Sequence, residues 1–577
     1  MRRNARIFHT RTCGLLLLVV LAANIVAAPV RVARAATTWY VLPAPDGDDA
    51  NDCLTPASPC ATINAAIGKA APDDTISLAG GFYSENLTIN KNSTIIGAGA
   101  ATTTIDADLA GTVVTISAGV TASITGVAIQ NGNTPGEGGG IDNGGNLTLS
   151  NTILRNNRAS AGSAINTTGA LAIADSTFIN NGPAIGTIYG AGTITIDRSS
   201  FSGNFAGNGG ALYLGGTVTI RASTFSGNNT TTDGGAIFAN GGTWSIENST
   251  ISGNTAAGAG GGLVTSAGIA ATVAIANSTI ANNSAGAGGA NLALFLGSIT
   301  ARNTIIASPV AGGNCQIPIG DGGNNLQFGD SSCASTMLLG DPKLGPLQNN
   351  GGPTLTQALL AGSAALDVGS SCTPVDQRGV PRPQGSACDI GAYERGTTTL
   401  YVAPSGNDIS DCLTTMTACR TISAGVGKAS AGDTISIAAG DYRENLTLAK
   451  SLTLLGEGQD TTFIDGGGVG QTVAIISGNA ITLTGVTVTN GNADRGAAIS
   501  NAGTLALLNS TVLNSRAPID GGGIYNTGSA LIVDSTIISN SAQYGAGLYN
   551  FGQLTIVRST ISGNRASEFG SGLENWG

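Results

Sequence analysis

Apolar and polar residues alternate along this chain in runs too short for helices. Thr217-Val-Thr-Ile220 and Leu554-Thr-Ile-Val557 are typical. With a side-chain period of two, Val218 and Ile220 fall on one face and Thr217 and Thr219 on the other. Each run lies between Gly-Gly-apolar segments such as Gly209-Gly-Ala-Leu-Tyr213, Gly234-Gly-Ala-Ile-Phe238 and Gly522-Gly-Ile-Tyr525, and a block ending in Asn. Those blocks begin at Asp175, Arg198, Ala222, Asn248 and Asn277, spaced 23, 24, 26 and 29 residues apart. They return at Asn509, Asp534 and Arg558, spaced 25 and 24 apart. Each repeat of about two dozen residues therefore predicts three short strands split by Gly and Asn turns.

One such turn cannot bury its own apolar face. Stacking turns solves this: every strand pairs in parallel with its copy about 4.8 Å away, and the apolar ranks line up inside. The predicted class is all-β, a right-handed parallel β-helix solenoid. The block-ending residues Asn204, Asn228, Asn254, Asn283, Asn540 and Asn564 then form ladders, because an amide side chain both donates and accepts. A propeller needs about 40 residues per blade, and the leucine spacing of leucine-rich repeats is missing. Asn-x-Ser/Thr triplets such as Asn86-Leu-Thr88 and Asn248-Ser-Thr250 match glycosylation acceptors, but the repeat geometry already accounts for them.

A longer duplication overlies the short one. Cys53, Cys60, Asp74, Asn86, Asp106 and Gly132 recur as Cys412, Cys419, Asp433, Asn445, Asp465 and Gly491, each 359 residues on. Both copies open on a strand (Trp39-Tyr-Val41, Leu400-Tyr-Val402), a Cys-bracketed loop and a short amphipathic helix over 62–70 or 421–429. That helix predicts a plug for the open end of a solenoid. Two plugs imply two solenoids in tandem, at 36–340 and 396–577, with 341–395 between them. The second stops inside a repeat, as expected of a truncated product.

Composition narrows the class. Only 10% of residues are charged, 4% are aromatic and 87 of 577 are Gly, a balance unlike disordered chains and suited to a solenoid. The net charge of −10 argues against nucleic acid, for want of a basic stripe to neutralise phosphates. Arg2, Arg3, Arg6 and Arg11 precede an apolar stretch over 15–30, and Ala33-Arg34-Ala35 supplies small residues for cleavage before Ala36. Residues 1–35 are therefore predicted as a signal peptide, with no transmembrane span in the mature chain and an extracellular or cell-surface destination. Eight cysteines remain, in four close pairs: Cys53 with Cys60, Cys315 with Cys333, Cys372 with Cys388, and Cys412 with Cys419. An even count in an exported chain predicts disulfides, and nearest-neighbour pairing is the expected connectivity. The single histidine, His9, leaves with the signal, which removes every His-based catalytic scheme.

The opening Tyr-Val…Asp-Cys…Pro-Cys-Ala-Thr-Ile…Asp-Asp-Thr-Ile…Tyr-Ser-Glu-Asn over 40–86 resembles bacterial parallel β-helix proteins of the pectate-lyase-like superfamily. The Gly-Gly-Ala-Ile and Phe-Ser-Gly-Asn blocks resemble repeats of chlamydial polymorphic outer-membrane proteins, which are adhesins. The stretch from Gly340-Asp-Pro-Lys-Leu-Gly-Pro through Asp376-Gln-Arg-Gly379 to Cys388-Asp-Ile-Gly-Ala-Tyr-Glu394 resembles the choice-of-anchor Q module of bacterial surface proteins. These resemblances imply a surface protein for adhesion or contact with extracellular polysaccharide or a neighbouring cell. The alternatives are a pectate-type polysaccharide lyase and a structural stalk. A lyase needs Ca²⁺-binding carboxylates and an Arg or Lys base around one groove. The acids Asp106, Asp108, Glu137, Asp142, Asp233, Asp465, Asp494 and Asp520 do not recur as a cluster at coil spacing, and Arg378 and Arg382 read as structural. One metal candidate remains. Asp46, Asp48, Asp49 and Asp52 form an acidic Gly-containing loop, with Asp408 and Asp411 in its duplicate, a composition compatible with Ca²⁺ or with a solvated turn. No cofactor is otherwise required, and the sequence leaves the oligomeric state open.

Overall fold

A computed structural model describes residues 35–577; the expected signal segment, with His9 and Cys13, lies outside them. The described chain is an all-β parallel solenoid of about 20 turns with almost no helix. Strands of successive coils pair in parallel and in register. Residues 38–339 build sheets of 19, 12 and 4 strands, and residues 399–575 build sheets of 7, 6, 6 and 2. Each set encloses its own apolar column, one running from Val41 to Met337 and the other from Leu400 to Leu548.

The alternation sorts residues as the period of two requires. Leu171, Ile194, Val218, Trp244, Val273 and Ile299 stand in one inward rank, all buried. Behind them Phe178, Phe201 and Phe225 stack with centroids 4.5 and 4.8 Å apart. One expectation fails locally. Two of the three short strands fuse into the ten-residue strands Ile188–Asp197 and Leu212–Arg221. The glycines that read as turns lie inside these strands; Gly190 and Gly192 take φ of 146° and 141°, an opened backbone that a side chain would oppose.

The turns are held by polar ladders. Asn204 donates to Asn228, Asn228 to Asn254 and Asn254 to Asn283 at 2.9–3.0 Å, and Asn540 donates to Asn564 at 3.0 Å. Each Nδ2 gives its second hydrogen to a backbone carbonyl, as Asn204 does to Phe178. The first ladder begins earlier, at Asn157 and Asn181. A second ladder unseen in the sequence runs Asn501, Asn526, Asn550 and Asn575. A buried amide that can neither donate nor accept costs about 1–3 kcal/mol; stacking satisfies both ends along the axis.

The eight cysteines among the described residues are bonded as nearest neighbours. Cys53 joins Cys60, Cys315 joins Cys333, Cys372 joins Cys388, and Cys412 joins Cys419. This is the chemistry of a chain folded in an oxidising compartment. The bonds do different structural jobs. Cys53 and Cys412 staple the loops ahead of the two short helices. Cys315 and Cys333 are both buried at the end of the first apolar column, where the bond closes the irregular last coils. Cys372 and Cys388 tie two parts of 341–395 together. No helix among the described residues is long and apolar enough to cross a membrane.

Two short helices, α1 (Ile63–Lys69) and α2 (Ile422–Lys428), bury Ile63, Ala66 and Ile67 in the first column and Ile422 in the second. Their free ends are satisfied alike. Glu85 accepts from the amides of Ile63 and Asn64, and Glu444 from those of Ile422 and Ser423. Lys450 donates to the carbonyls of Val426 and Ala429 at the other end. This explains the repeated Tyr-x-Glu-Asn motif: the Tyr83 hydroxyl shares its one hydrogen between the carbonyls of Val41 and Ala79, and Glu85 holds the helix start.

Residues 341–395 interrupt the coils. Leu344–Gln348 and Thr356–Leu359 pair antiparallel, and the segment folds back over the outer face of the 12-stranded sheet. Thr224 donates to the Leu355 carbonyl at 2.6 Å, Thr250 to Gln377 at 2.7 Å, and the Ala392 amide to Thr279 at 3.1 Å. Asn248, a residue of one glycosylation triplet, is buried here against Val375.

Candidate contact surfaces

Three places could carry chemistry: the acidic loops, the ion pairs of 341–395, and the outward face of the coils.

In the acidic loops five of the six carboxylates serve their own turns. Asp49 accepts from the amides of Ala61 and Thr62 and from the Thr62 hydroxyl, all at 2.8 Å. Asp408 repeats this with Arg420 and Thr421. Asp48 accepts from Ala50, Asp52 from Leu54, and Asp411 from Leu413 and Thr417; Asp46 is exposed. Asp411 is held below the usual carboxylate range by the Thr417 hydroxyl and the Leu413 amide. At Asp408 slight desolvation pushes upward and is outweighed by the Thr421 and Arg420 donors. Among the described residues no three His, Cys, Asp or Glu side chains are grouped to hold a metal ion. Asp49 and Asp408 hold the residues that lead into each helix, Ala61 and Thr62 in one copy and Arg420 and Thr421 in the other.

The segment 341–395 concentrates buried charge. Arg382 pairs with Glu394 at 3.0 Å, Arg378 with Asp376 at 2.7 Å, and Arg395 with Asp433 of the second set of coils at 2.9 Å. Arg378 also stacks on Tyr393. Each of these guanidiniums is paired with a carboxylate of the chain itself, which ties the cluster to the packing of the segment. Asp389 lies among these pairs, and burial, with nearby Glu394 adding, pushes its carboxyl up to about 7. Burial also raises Glu394 and Asp367. A carboxyl whose folded value lies above its unfolded value near 3.8 keeps a proton that the unfolded chain has released. Its contribution is full below about pH 4 and is lost as pH rises through about 7. The melting temperature of this segment is therefore expected to fall between pH 5.5 and pH 8. Calorimetry in matched ionic strength checks it; a rise over that interval would contradict the assignment.

The outward face of the first set of coils is its most regular surface. Thr75, Thr94, Ser123, Thr148, Ala172, Thr195, Thr219, Ser245, Ala274 and Thr300 occupy one register rank across ten coils. All are half-buried or exposed. A second rank of Thr193, Thr217, Thr243, Thr272 and Ser298 runs beside it. Residues 341–395 cover the neighbouring sheet, over Thr224, Thr250 and Thr279, and leave these ranks uncovered. The alternation at Thr217 and Thr219 signalled this face; its length came only from the register.

The chain matches no protein-family model and no curated protein. Among solved structures it is similar to the pectate lyase Pel9A, with 18% identity over 62% of this chain and 96% of that one, at a TM-score of 0.41. It is also similar to the PL6 family alginate lyase AlyGC, with 14% identity over 92% and 86% at a TM-score of 0.22. A third likeness is to XylC in complex with xylose, with 12% identity over 62% and 99% at a TM-score of 0.34. At these identities and scores no activity and no residue role carries over.

Proposed function

We propose that this chain is an exported surface protein that contacts glycan without cleaving it, using the long Ser/Thr face of its first set of coils. The carrying observation is the ten-position rank of small, mostly hydroxylated side chains, in register and open to solvent. Hydroxyls repeated about every 4.8 Å on a rigid sheet meet a polymer whose own hydroxyls repeat. Nothing in the face is acidic or basic along the central rank, which suits a neutral sugar surface. The disulfides and the signal-like start support export. Catalysis of the lyase type would need carboxylates converging beside a cation, and among the described residues no three acidic side chains are grouped in that way. The test is co-sedimentation of the chain with insoluble chitin and cellulose. Thr195→Lys with Thr219→Lys should reduce the bound fraction at least fivefold while leaving the melting curve in place. Undiminished retention of the double variant would remove this face from the account.

A further inference from the structure

We propose that the second set of coils carries a separate groove for the anionic groups of a polysaccharide, built on Arg443, Arg516 and Arg565. The groove encloses about 570 Å³ beside the strands Gly440–Arg443, Thr462–Asp465, Thr487–Thr489 and Thr511–Leu513, and is lined by Arg443, Asp465, Asn490, Asn492, Asn514 and Arg516. Past Arg516 it continues into a hollow of about 420 Å³ bordered by Ser541 and Arg565. Asn492, Arg516, Ser541 and Arg565 share one register rank. The backbone positions of Arg516 and Arg565 therefore stand two coils, about 10 Å, apart along the axis.

Charge pairing singles these residues out. Arg395, Arg495 and Arg558 each hold a carboxylate, on Asp433, Asp520 and Asp534. Arg443, Arg516 and Arg565 are exposed and have no ion pair among the described residues; Arg443 makes only a 3.4 Å contact to the Gly467 carbonyl. The one acid in the groove, Asp465, is occupied by the Gly467 amide at 2.7 Å and the Asn490 amide group at 2.9 Å. In a chain of net charge −10, three unpaired guanidiniums along one edge form a local positive strip.

The duplication supplies an internal control. The first set of coils builds the same turn with Asp106, Asn131, Asn133 and Arg158 in the places of Asp465, Asn490, Asn492 and Arg516. There Ser84 replaces Arg443 and bonds Asp108, which stands where the second copy has Gly467. Phe205, whose amide bonds the Asn181 carbonyl as that of Arg565 bonds the Asn540 carbonyl, takes the place of Arg565. One scaffold thus carries two charge patterns: Asp106 and Asp108 stand beside Arg155 and Arg158 in the first copy, whereas three arginines face one acid in the second. Arginine forks grip carboxylate or sulfate oxygens in pairs, and the exposed amides of Asn490, Asn492 and Asn514 suit sugar hydroxyls. No aromatic ring among the described residues lines the groove to stack a base, which favours a sugar polyanion over single-stranded nucleic acid.

The proposal shares the glycan reading above but uses a different face. The experiment is a titration of residues 36–577 with polygalacturonate, dextran sulfate and neutral dextran at several salt concentrations. Binding to one or both polyanions but not to dextran is expected, with a tenfold or greater loss in the variant Arg516→Gln/Arg565→Gln. The variant Thr195→Lys/Thr219→Lys should bind the polyanions as the unaltered chain does, so failure of the Ser/Thr face and failure of the groove are read separately. Ser84→Arg with Asp108→Gly and Phe205→Arg should add a second site per chain. Equal affinity of the arginine variant and the unaltered chain, or tighter binding of single-stranded DNA than of either polyanion, would overturn the proposal.

Discussion

Replacing Arg382 by methionine is expected to destabilise residues 341–395 by about 3–5 kcal/mol and to loosen them from the coils. The Arg382 and Glu394 side chains are each 1% exposed. The guanidinium also donates to the carbonyls of Asp389 and Gly391 at 2.7 Å, and Glu394 accepts from the amides of Gln384 and Asp389. Removing the cation strands a buried carboxylate and two carbonyls together. Gly391 and Ala392 are also the residues that bond Asn303 and Thr279 of the coils, so the loss should travel to the docking contact. Limited proteolysis should cut the variant within 341–395 under conditions that spare the unaltered chain. Arg382→Met with Glu394→Leu should recover much of the loss, because a buried ion pair and an apolar pair of similar volume are often nearly equal in stability. An unshifted melting curve for the single variant would mean that this pair is solvated.

Phe201→Ala is expected to cost about 3–5 kcal/mol and to act locally. The ring is fully buried between Phe178 and Phe225, and each stacked neighbour adds about 0.5–1.5 kcal/mol beyond area burial. Coils touch only their neighbours, so stability is close to a sum of nearest-neighbour terms. Hydrogen exchange should therefore speed up over residues 171–230, with no change over 434–557. Uniform acceleration along the chain would show that the coils unfold as one unit.

How much of this was legible beforehand depends on the range of the contact. The alternation at Thr217–Ile220 predicted the inward rank because each strand needs only its own coil-to-coil copy. The Asn blocks predicted their ladder because repeat spacing is also spatial spacing. The cysteine partners, Cys315 with Cys333 among them, were legible for the same reason: each pair is at most 18 residues apart, within one coil's length. Gly190 and Gly192 misled locally: glycine reads as a turn, yet here it permits a positive φ that keeps one strand running around a corner. The acidic loops left two readings open in the sequence, since residue type alone cannot tell a metal cage from carboxylates that hold their own turns, and the bonds of Asp49 and Asp408 come from residues 12 and 13 positions on. Residues 341–395 carry no period, and their hydrogen bonds to the coils span up to 154 residues. The arginines of the groove are 73 and 49 positions apart in sequence and become neighbours only once the register is known.

The central claim, contact without cleavage, is tested most directly on cellulose, polygalacturonate and alginate, each with and without Ca²⁺. Residues 36–577, with disulfides formed, are followed by the ultraviolet absorbance of unsaturated ends and by retention on immobilised polymer. The account predicts retention on at least one polysaccharide and flat absorbance in every arm. Absorbance that climbs with turnover, above all if it depends on Ca²⁺, would contradict it and make the chain a lyase.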